Sequence, residues 1–276
     1  MTKIKELQQK ADMARQLMVE ALICAGCGHP GGAFSSVDVM TALFFEVMNI
    51  APANPGMENR DRFILSKGHS SVALYSVMHL KGFFSKEVLM TFRQDNSILA
   101  GHPDMNKVPG IEMSTGSLGH GLSVGVGLAL GAKVDHKPYR TFVLLGDGES
   151  QEGSVWEAAM SAAHFKLDNL IAIVDRNRIQ IDGFTEDIMG LEPYKAKWQS
   201  FGWEVKEIDG NDIAQIVLTL KETPFCVGKP SVIISNTVKG KGISFMENNV
   251  EWHGKALKGD QAEIARIEIK KKLECY

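Results

Sequence analysis

Short apolar runs that alternate with helical segments constrain the fold of this chain most strongly. Residues 141–145 and 170–174 are continuous apolar runs rich in β-forming side chains. Such runs are typical of strands that are buried on both faces of a parallel sheet. Helical patterns separate them from further short strands along the chain. The alternation therefore predicts an α/β fold with a doubly wound, mainly parallel sheet and helices on both faces.

The individual elements follow from the same periodicity. We predict strands at residues 62–66, 141–145, 170–174, 203–208 and 231–235. We predict helices at residues 3–23, 70–82, 117–134, 152–165, 191–201, 212–222 and 260–273. A further helix should begin after Ser35 and Ser36, with Asp38 in its first turn, because serine and acidic residues favour that end of a helix. Small residues at 117–134 indicate a buried, closely packed helix. Residues 1–276 are expected to form one domain, which ends in a charged C-terminal helix at 260–273.

Composition excludes several classes of protein. The net charge is -3, with 44% hydrophobic and 23% charged residues, so no electrostatic feature favours nucleic acid or a membrane surface. The N-terminus is polar, without the apolar segment of a signal peptide. No run of about 18 apolar residues occurs that could span a membrane. We therefore expect a cytoplasmic protein without nucleic acid or membrane partners.

Cysteine usage suggests no metal or disulfide framework. Cys24 and Cys27 form a CxxC pair, and the chain contains 4 cysteines. No second CxxC and no nearby Cys/His pair completes a zinc site. We expect reduced thiols, and a redox role for the pair stays open.

A split acidic motif is the strongest chemical signal. Asp147 follows one predicted strand in a Gly-Asp-Gly turn, and Asn177 follows the next strand 30 residues later. Because ligands bind at the carboxyl ends of parallel strands, one crossover would bring both side chains together. A carboxylate, an amide oxygen and a carbonyl are hard ligands that suit Mg²⁺ or Ca²⁺, with a phosphate completing the shell. The alternative is a simple turn and an unrelated asparagine.

Six further motifs accompany this pair in chain order. They are Gly28-His29-Pro30-Gly31-Gly32, Ser66-Lys67-Gly68-His69, Gly101-His102-Pro103, Thr115-Gly116-Ser117-Leu118-Gly119-His120-Gly121, Gln151-Glu152-Gly153 and Trp252-His253-Gly254. Together they resemble the amino-terminal, thiamine-diphosphate-binding domain of transketolases over nearly the whole chain. The resemblance implies the thiamine-diphosphate-binding fold and a divalent metal ion, Mg²⁺ or else Ca²⁺ or Mn²⁺.

The resemblance also implies roles for individual residues. Metal ligands would be Asp147, Asn177 and the main-chain carbonyl of Ile179. Contacts with the cofactor would come from His69, Gly116, Ser117, Leu118, Gly148, Asn177 and His253. The catalytic residues would be His29, His102 and His253, whose imidazoles can exchange protons near neutral pH. Of these, His29 and His102 would contact substrate oxygens, and His253 would contact the diphosphate.

Some candidate residues have a plain structural interpretation. A lone histidine is more often a hydrogen-bonded structural residue than a catalyst, and His79 and His164 match no motif. His120 stands where many relatives carry glutamine, so it receives no role. Glu152 is either a surface residue at a helix start or part of a carboxylate network at a dimer interface, and both interpretations stay open.

The implied reaction moves a two-carbon ketol unit from a ketose phosphate to an aldose or aldose phosphate, as in pentose phosphate metabolism. The matched motifs belong to the first of three transketolase domains. We therefore expect a second chain, resembling the C-terminal half, to supply the glutamate that activates the cofactor, in an α₂β₂ heterotetramer. Two alternatives remain: a specialised pathway acting on a branched-sugar phosphate or a sulfonated ketose, and a non-catalytic cofactor-binding subunit.

Overall fold

A five-stranded sheet runs through the centre of the computed structural model, which describes residues 2–276. Its strands are β1 (Arg62–Leu65), β2 (Thr141–Gly146), β3 (Leu170–Arg176), β4 (Glu204–Asp209) and β5 (Ser231–Asn236). Their order is β1-β2-β3-β5-β4, and every neighbouring pair is parallel. All the predicted strands are therefore confirmed, with ends that differ by one or two residues.

Within residues 2–276, ten α-helices connect and cover the strands. They are α1 (Lys3–Ala25), α2 (Pro30–Ala42), α3 (Ser71–Lys81), α4 (Lys86–Leu89), α5 (His120–Val134), α6 (Gly153–His164), α7 (Thr185–Ile188), α8 (Tyr194–Ser200), α9 (Ile213–Lys221) and α10 (Gly259–Leu273). Among residues 2–276, no helix is both long enough and apolar enough to cross a membrane.

Successive strand residues point to opposite faces of the sheet, and each face has its own core. Phe142 and Leu144 on β2 belong to a core that also contains side chains of α1, α2, α3, α9 and α10. Val143 and Leu145 on the same strand pack with α5, α6 and α8. This alternation follows from the two-residue period of a strand. It confirms the predicted doubly wound sheet with helices on both faces.

Helix α2 begins earlier than predicted. It starts at Pro30, not after Ser36. Proline suits the first helical turn because its fixed φ is helical and that turn needs no backbone N–H donor. Ser35 and Ser36 lie inside the helix, where the Ser36 hydroxyl donates to the carbonyl of Gly32 at 2.8 Å and the Ser35 hydroxyl lies 3.0 Å from the same carbonyl. The prediction was wrong because these serines bond back along the helix rather than capping it.

Helix α5 is buried on one face only. Gly125, Val126 and Ala129 face the sheet, whereas Val124 and Val134 are exposed, Val134 to 69%. The predicted close packing is present at Gly125, where an added Cβ would lie 2.5 Å from a Val143 methyl group. The expectation of a buried helix is wrong for its outer face, because no other element of residues 2–276 covers that face.

Gly125 offers a test of this packing. We expect Gly125→Ala to destabilise the fold by about 1–3 kcal/mol, because the added methyl group would overlap a methyl group of the buried Val143 side chain. Gly127 lies on the outer face of the same helix, and an added Cβ there meets nothing within 4 Å. Gly127→Ala should instead stabilise the helix by about 0.5–1 kcal/mol. Chemical denaturation of both variants checks the pair, and equal effects would contradict the packing argument.

Candidate functional site

The carboxyl ends of four strands meet at one edge of the sheet and border a cavity of about 380 Å³. Lys67 follows β1, Asp147 follows β2, Asn177 follows β3 and Lys239 follows β5. The lining includes His29, His69, His102, His253, Gly116, Leu118, Asp147, Gly148, Asn177, Ile179, Lys67 and Lys239. Parallel pairing thus brings together residues that are more than two hundred positions apart in the chain, as at His29 and His253.

Four histidines form a cluster at this cavity. The ring centroids of His29 and His69 are 5.4 Å apart, and those of His69 and His253 are also 5.4 Å apart. His29 lies 5.8 Å from His253 and 6.5 Å from His102. His29 immediately precedes Pro30, so the start of α2 sets its position. The cluster unites residues from four separate motifs.

These histidines are neutral at neutral pH. Burial lowers the pKa of His29, His69 and His102. Burial, and then the positive charge of Lys239, lowers the pKa of His253 to about 3. A neutral imidazole offers one donor and one acceptor nitrogen. The buried Nδ1 of His29 has no hydrogen-bond partner among residues 2–276. Buried polar atoms are normally hydrogen-bonded, so this nitrogen is available to a ligand.

Asp147 provides a buried carboxylate at the end of β2. The residue is 2% exposed. Its oxygens accept backbone N–H groups of Gly148 at 2.8 Å and Arg178 at 2.5 Å, and the Arg176 guanidinium at 3.2 Å. Burial, followed by the negative charge of Asp175, raises the pKa of Asp147. The charge of this carboxylate is therefore incompletely balanced by the protein.

The other predicted metal ligands lie in the loop after β3. The Asn177 amide oxygen accepts the N–H of Ile179 at 3.1 Å. The Ile179 carbonyl accepts Lys239 Nζ at 2.9 Å, so a cation already lies against this oxygen. Among residues 2–276, no three His, Cys, Asp or Glu side chains form a metal cluster, and the predicted set contains one such side chain. The carboxylate of Asp147, the amide oxygen of Asn177 and the carbonyl oxygen of Ile179 fit a hard divalent cation.

Two lysines at the site were missed by the sequence predictions. Lys67 and Lys239 are each 1% exposed and line the cavity. Burial and the charge of Lys67 lower the pKa of Lys239 to about 8. Lys239 Nζ lies 3.1 Å from His253 Nδ1. The available signal was a lysine shortly after an apolar strand, where its side chain would be buried. A buried cation needs an anionic partner, so such a lysine is a candidate for the site.

Glu149 was also missed. It is buried and accepts hydrogen bonds from the Ser66 hydroxyl, from Gly119 N at 3.0 Å and from Gly146 N at 2.9 Å. Burial raises the pKa of this carboxyl group. Its three donors belong to the segments after β1, before α5 and at the end of β2, so Glu149 joins three walls of the cavity.

The segment before α5 forms one of these walls. Gly116 and Leu118 line the cavity, whereas Ser117 is exposed and is not among the lining residues. The contact of Ser117 with a cofactor therefore stays a prediction. Gly68 permits the close approach of this segment, because a Cβ there would lie 2.2 Å from the Thr115 hydroxyl.

Three other histidines lie outside the cavity. None of His79, His120 and His164 is among its lining residues. His79 Nδ1 is 2.9 Å from the Phe84 carbonyl, which is a structural contact. Glu152 borders the cavity at the start of α6. All 4 cysteines are free thiols, and Cys24 and Cys27 are exposed.

Comparisons with known proteins connect this geometry with one family. Residues 7–274 match the family described as the transketolase, thiamine diphosphate binding domain. The chain is 46% identical over 271 residues to one of the subunits of apulose-4-phosphate transketolase from Phocaeicola vulgatus, covering 98% of this chain and 96% of that protein. It is 45% identical over 266 residues to the 6-deoxy-6-sulfo-D-fructose transketolase subunit SqwG of Clostridium sp. strain MSTE9, covering 96% and 97%.

Solved structures agree in fold. Transketolase from Campylobacter jejuni superposes with a TM-score of 0.92 at 34% identity, covering 98% of this chain and 43% of that one. The Pichia stipitis enzyme in complex with sedoheptulose 7-phosphate gives 0.90 at 35% identity, covering 97% and 41%. The chain thus spans less than half the length of these solved transketolases. By its match over residues 7–274, this chain belongs to the transketolase family.

Proposed function

We propose that this chain is the diphosphate-binding subunit of a two-chain transketolase. The enzyme would transfer a two-carbon ketol unit from a ketose phosphate to an aldose or aldose phosphate, with thiamine diphosphate and a divalent metal ion. The observation that carries the proposal is one cavity that joins an oxygen donor set, two buried lysines and four neutral histidines.

The metal and diphosphate would lie at the end of β2 and β3. Asp147, Asn177 and the Ile179 carbonyl would hold Mg²⁺, with Ca²⁺ or Mn²⁺ as substitutes. Lys239 and His253, which contact each other at 3.1 Å, would donate to diphosphate oxygens, as would His69. When bound, the cofactor supplies a thiazolium ring that accommodates the electron pair released when the ketose carbon–carbon bond breaks.

His29 and His102 would serve the sugar. Both rings are neutral, so each can donate to one substrate oxygen while its other nitrogen accepts a proton. The free, buried Nδ1 of His29 supports such a contact. A non-catalytic protein would need no further histidines beside His69 and His253, and this observation favours the enzyme over that alternative.

The partner is the C-terminal-half chain. Relatives aligned over nearly their full lengths are named subunits, which supports a second chain. Exposed apolar side chains on α5 and α6 support an interface there, with Met160 60% exposed. We infer an α₂β₂ heterotetramer, because such assemblies usually close around a twofold axis. Glu152, at the start of α6, would lie near that interface.

The substrate belongs to a specialised sugar pathway in this proposal. The chain is 45–47% identical to subunits named for apulose 4-phosphate and for 6-deoxy-6-sulfo-D-fructose. It is 36% identical to human transketolase, of which it covers 44%. The higher identity supports a branched-sugar phosphate or a sulfonated ketose over the common pentose phosphates.

The metal assignment leads to the first test of this function. We expect Asp147→Ala to weaken thiamine diphosphate binding by more than ~100-fold, because the diphosphate charge would lose its bridging cation. Titration calorimetry of the assembled enzyme with Mg²⁺ measures this affinity. Asp135→Ala removes an exposed carboxylate at the far end of α5 and serves as the control. Unchanged affinity in Asp147→Ala would refute the metal assignment.

The histidines should divide by role. His69→Ala and His253→Ala should weaken cofactor binding, because both rings face the proposed diphosphate. His29→Ala and His102→Ala should keep that affinity but lower kcat by about 100-fold or raise the ketose KM. Steady-state kinetics at saturating cofactor, beside calorimetry, separates the two effects, with the exposed His164→Ala as control. Equal loss of cofactor in all four variants would show that the division is wrong.

Activity should require both chains. Purified alone, this chain should show no ketol transfer, because the glutamate that activates the cofactor would come from the partner. Mixing with the C-terminal-half chain should restore turnover. Rates with a ketose phosphate donor and an aldose acceptor, for each chain and for the mixture, measure this. Full activity from this chain alone would contradict the two-chain proposal.

A further inference from the structure

Asp175 is a heavily bonded carboxylate behind the cavity wall. It lies near the end of β3 and is 1% exposed. It is absent from the residues that line the cavity. It is therefore separated from the space that a bound ligand would fill, and the proposed reaction gives it no direct role.

Four side chains from four different segments donate to this carboxylate. Ser35 on α2 donates to Oδ2 at 2.6 Å, and Lys67 donates to the same oxygen. Asn177 Nδ2 also donates to Oδ2, at 3.0 Å, while Thr237 after β5 donates to Oδ1. Buried charge is tolerated only when it is paired and hydrogen-bonded, and Asp175 meets both conditions.

The contact with Asn177 fixes the direction of its amide. A carboxylate paired with a lysine accepts hydrogen bonds, so the Asn177 NH₂ group must face Asp175. The amide oxygen must then face away, where it meets the N–H of Ile179 at 3.1 Å. A flipped amide would place two oxygens against each other on one side and two donors on the other. Both ends of the amide thus agree on one orientation.

Lys67 extends the same network to helix α2. Its Nζ donates to the Gly32 carbonyl at 2.8 Å as well as to Asp175. Gly32 lies in the first turn of α2, which follows His29 directly. The carboxylate therefore connects the helix that positions His29 with the loop that carries Asn177.

We propose that Asp175 is a positioning residue, which holds the Asn177 amide oxygen toward the metal ion and joins four cavity-forming segments without touching cofactor or substrate. Residues that hydrogen-bond to a metal ligand commonly orient that ligand, and their removal changes metal affinity about 10–100-fold. The proposal rests on the proposed metal role of Asn177, and its test is chosen to separate the two.

The test uses the assembled two-chain enzyme with thiamine diphosphate and Mn²⁺, whose binding is followed by electron paramagnetic resonance. We expect Asp175→Asn to weaken Mn²⁺ affinity about 10–100-fold, because an amide at this position no longer dictates the orientation of the Asn177 side chain. Activity should recover in large part at saturating Mn²⁺. The double variant Asp175→Asn with Asn177→Asp should restore part of the affinity, because it keeps one donor facing one carboxylate and preserves the net charge.

Ser35→Ala and Thr237→Val are matched controls, because each removes one hydrogen bond to Asp175 but leaves the Asn177 contact in place. Both should lower the melting temperature while Mn²⁺ affinity stays within about 3-fold of native. A native affinity in folded Asp175→Asn would overturn the proposal. If Asp175→Asn does not fold, a loss beyond about 10-fold in either control would overturn it instead. Failure of the unaltered enzyme to bind Mn²⁺ would refute the metal assignment itself.

Discussion

Parallel hydrogen bonding between β2, β3 and β5 is the constraint on which the site depends. Gly146 pairs with Asp175, and Asp175 pairs with Ser235, so the three strands end level with one another. In a parallel sheet every strand also ends at the same edge. The segments that follow these strands must then share one small volume. Residues that are distant in the chain meet there because the backbone ladder allows no other placement.

The cost of this placement is the burial of many charged groups. Asp147, Asp175, Lys67, Arg176 and Lys239 are all nearly inaccessible to water. The opposite charges of Lys67 and Asp175 balance each other, and four side-chain donors form hydrogen bonds to the Asp175 carboxylate. Asp147 is compensated by Arg176 and by two backbone N–H groups, yet its pKa stays above the ordinary value through burial and Asp175. This imbalance lies at the point where the proposed cation would bind, and a cation there would complete the electrostatics.

Local signals in the sequence were sufficient to predict the sheet and to select most of the named residues that line the candidate site. The apolar runs 141–145 and 170–174 have one plausible environment, the centre of a parallel sheet, and the structure confirms it. The glycine-flanked histidines were found because their motifs are local. The start of α2 was missed because the serines could cap or bond back, and only tertiary packing chooses between these options. Lys67 and Asp175 were missed because a pair 108 residues apart leaves no periodic signal.

The exposed outer face of α5 and α6 affects what happens to copies of this chain that are not assembled. Val134, Met160 and Phe165 present apolar area to water, and a copy without the proposed partner chain would keep that area exposed in a crowded solution. Exposed patches of this kind promote association and recognition by chaperones and proteases. In the proposed two-chain enzyme, a surplus of this chain would therefore be removed faster than the assembled protein. Synthesis of this chain and its proposed partner in equal amounts, for example from one messenger RNA, would keep the loss of unassembled protein lowest.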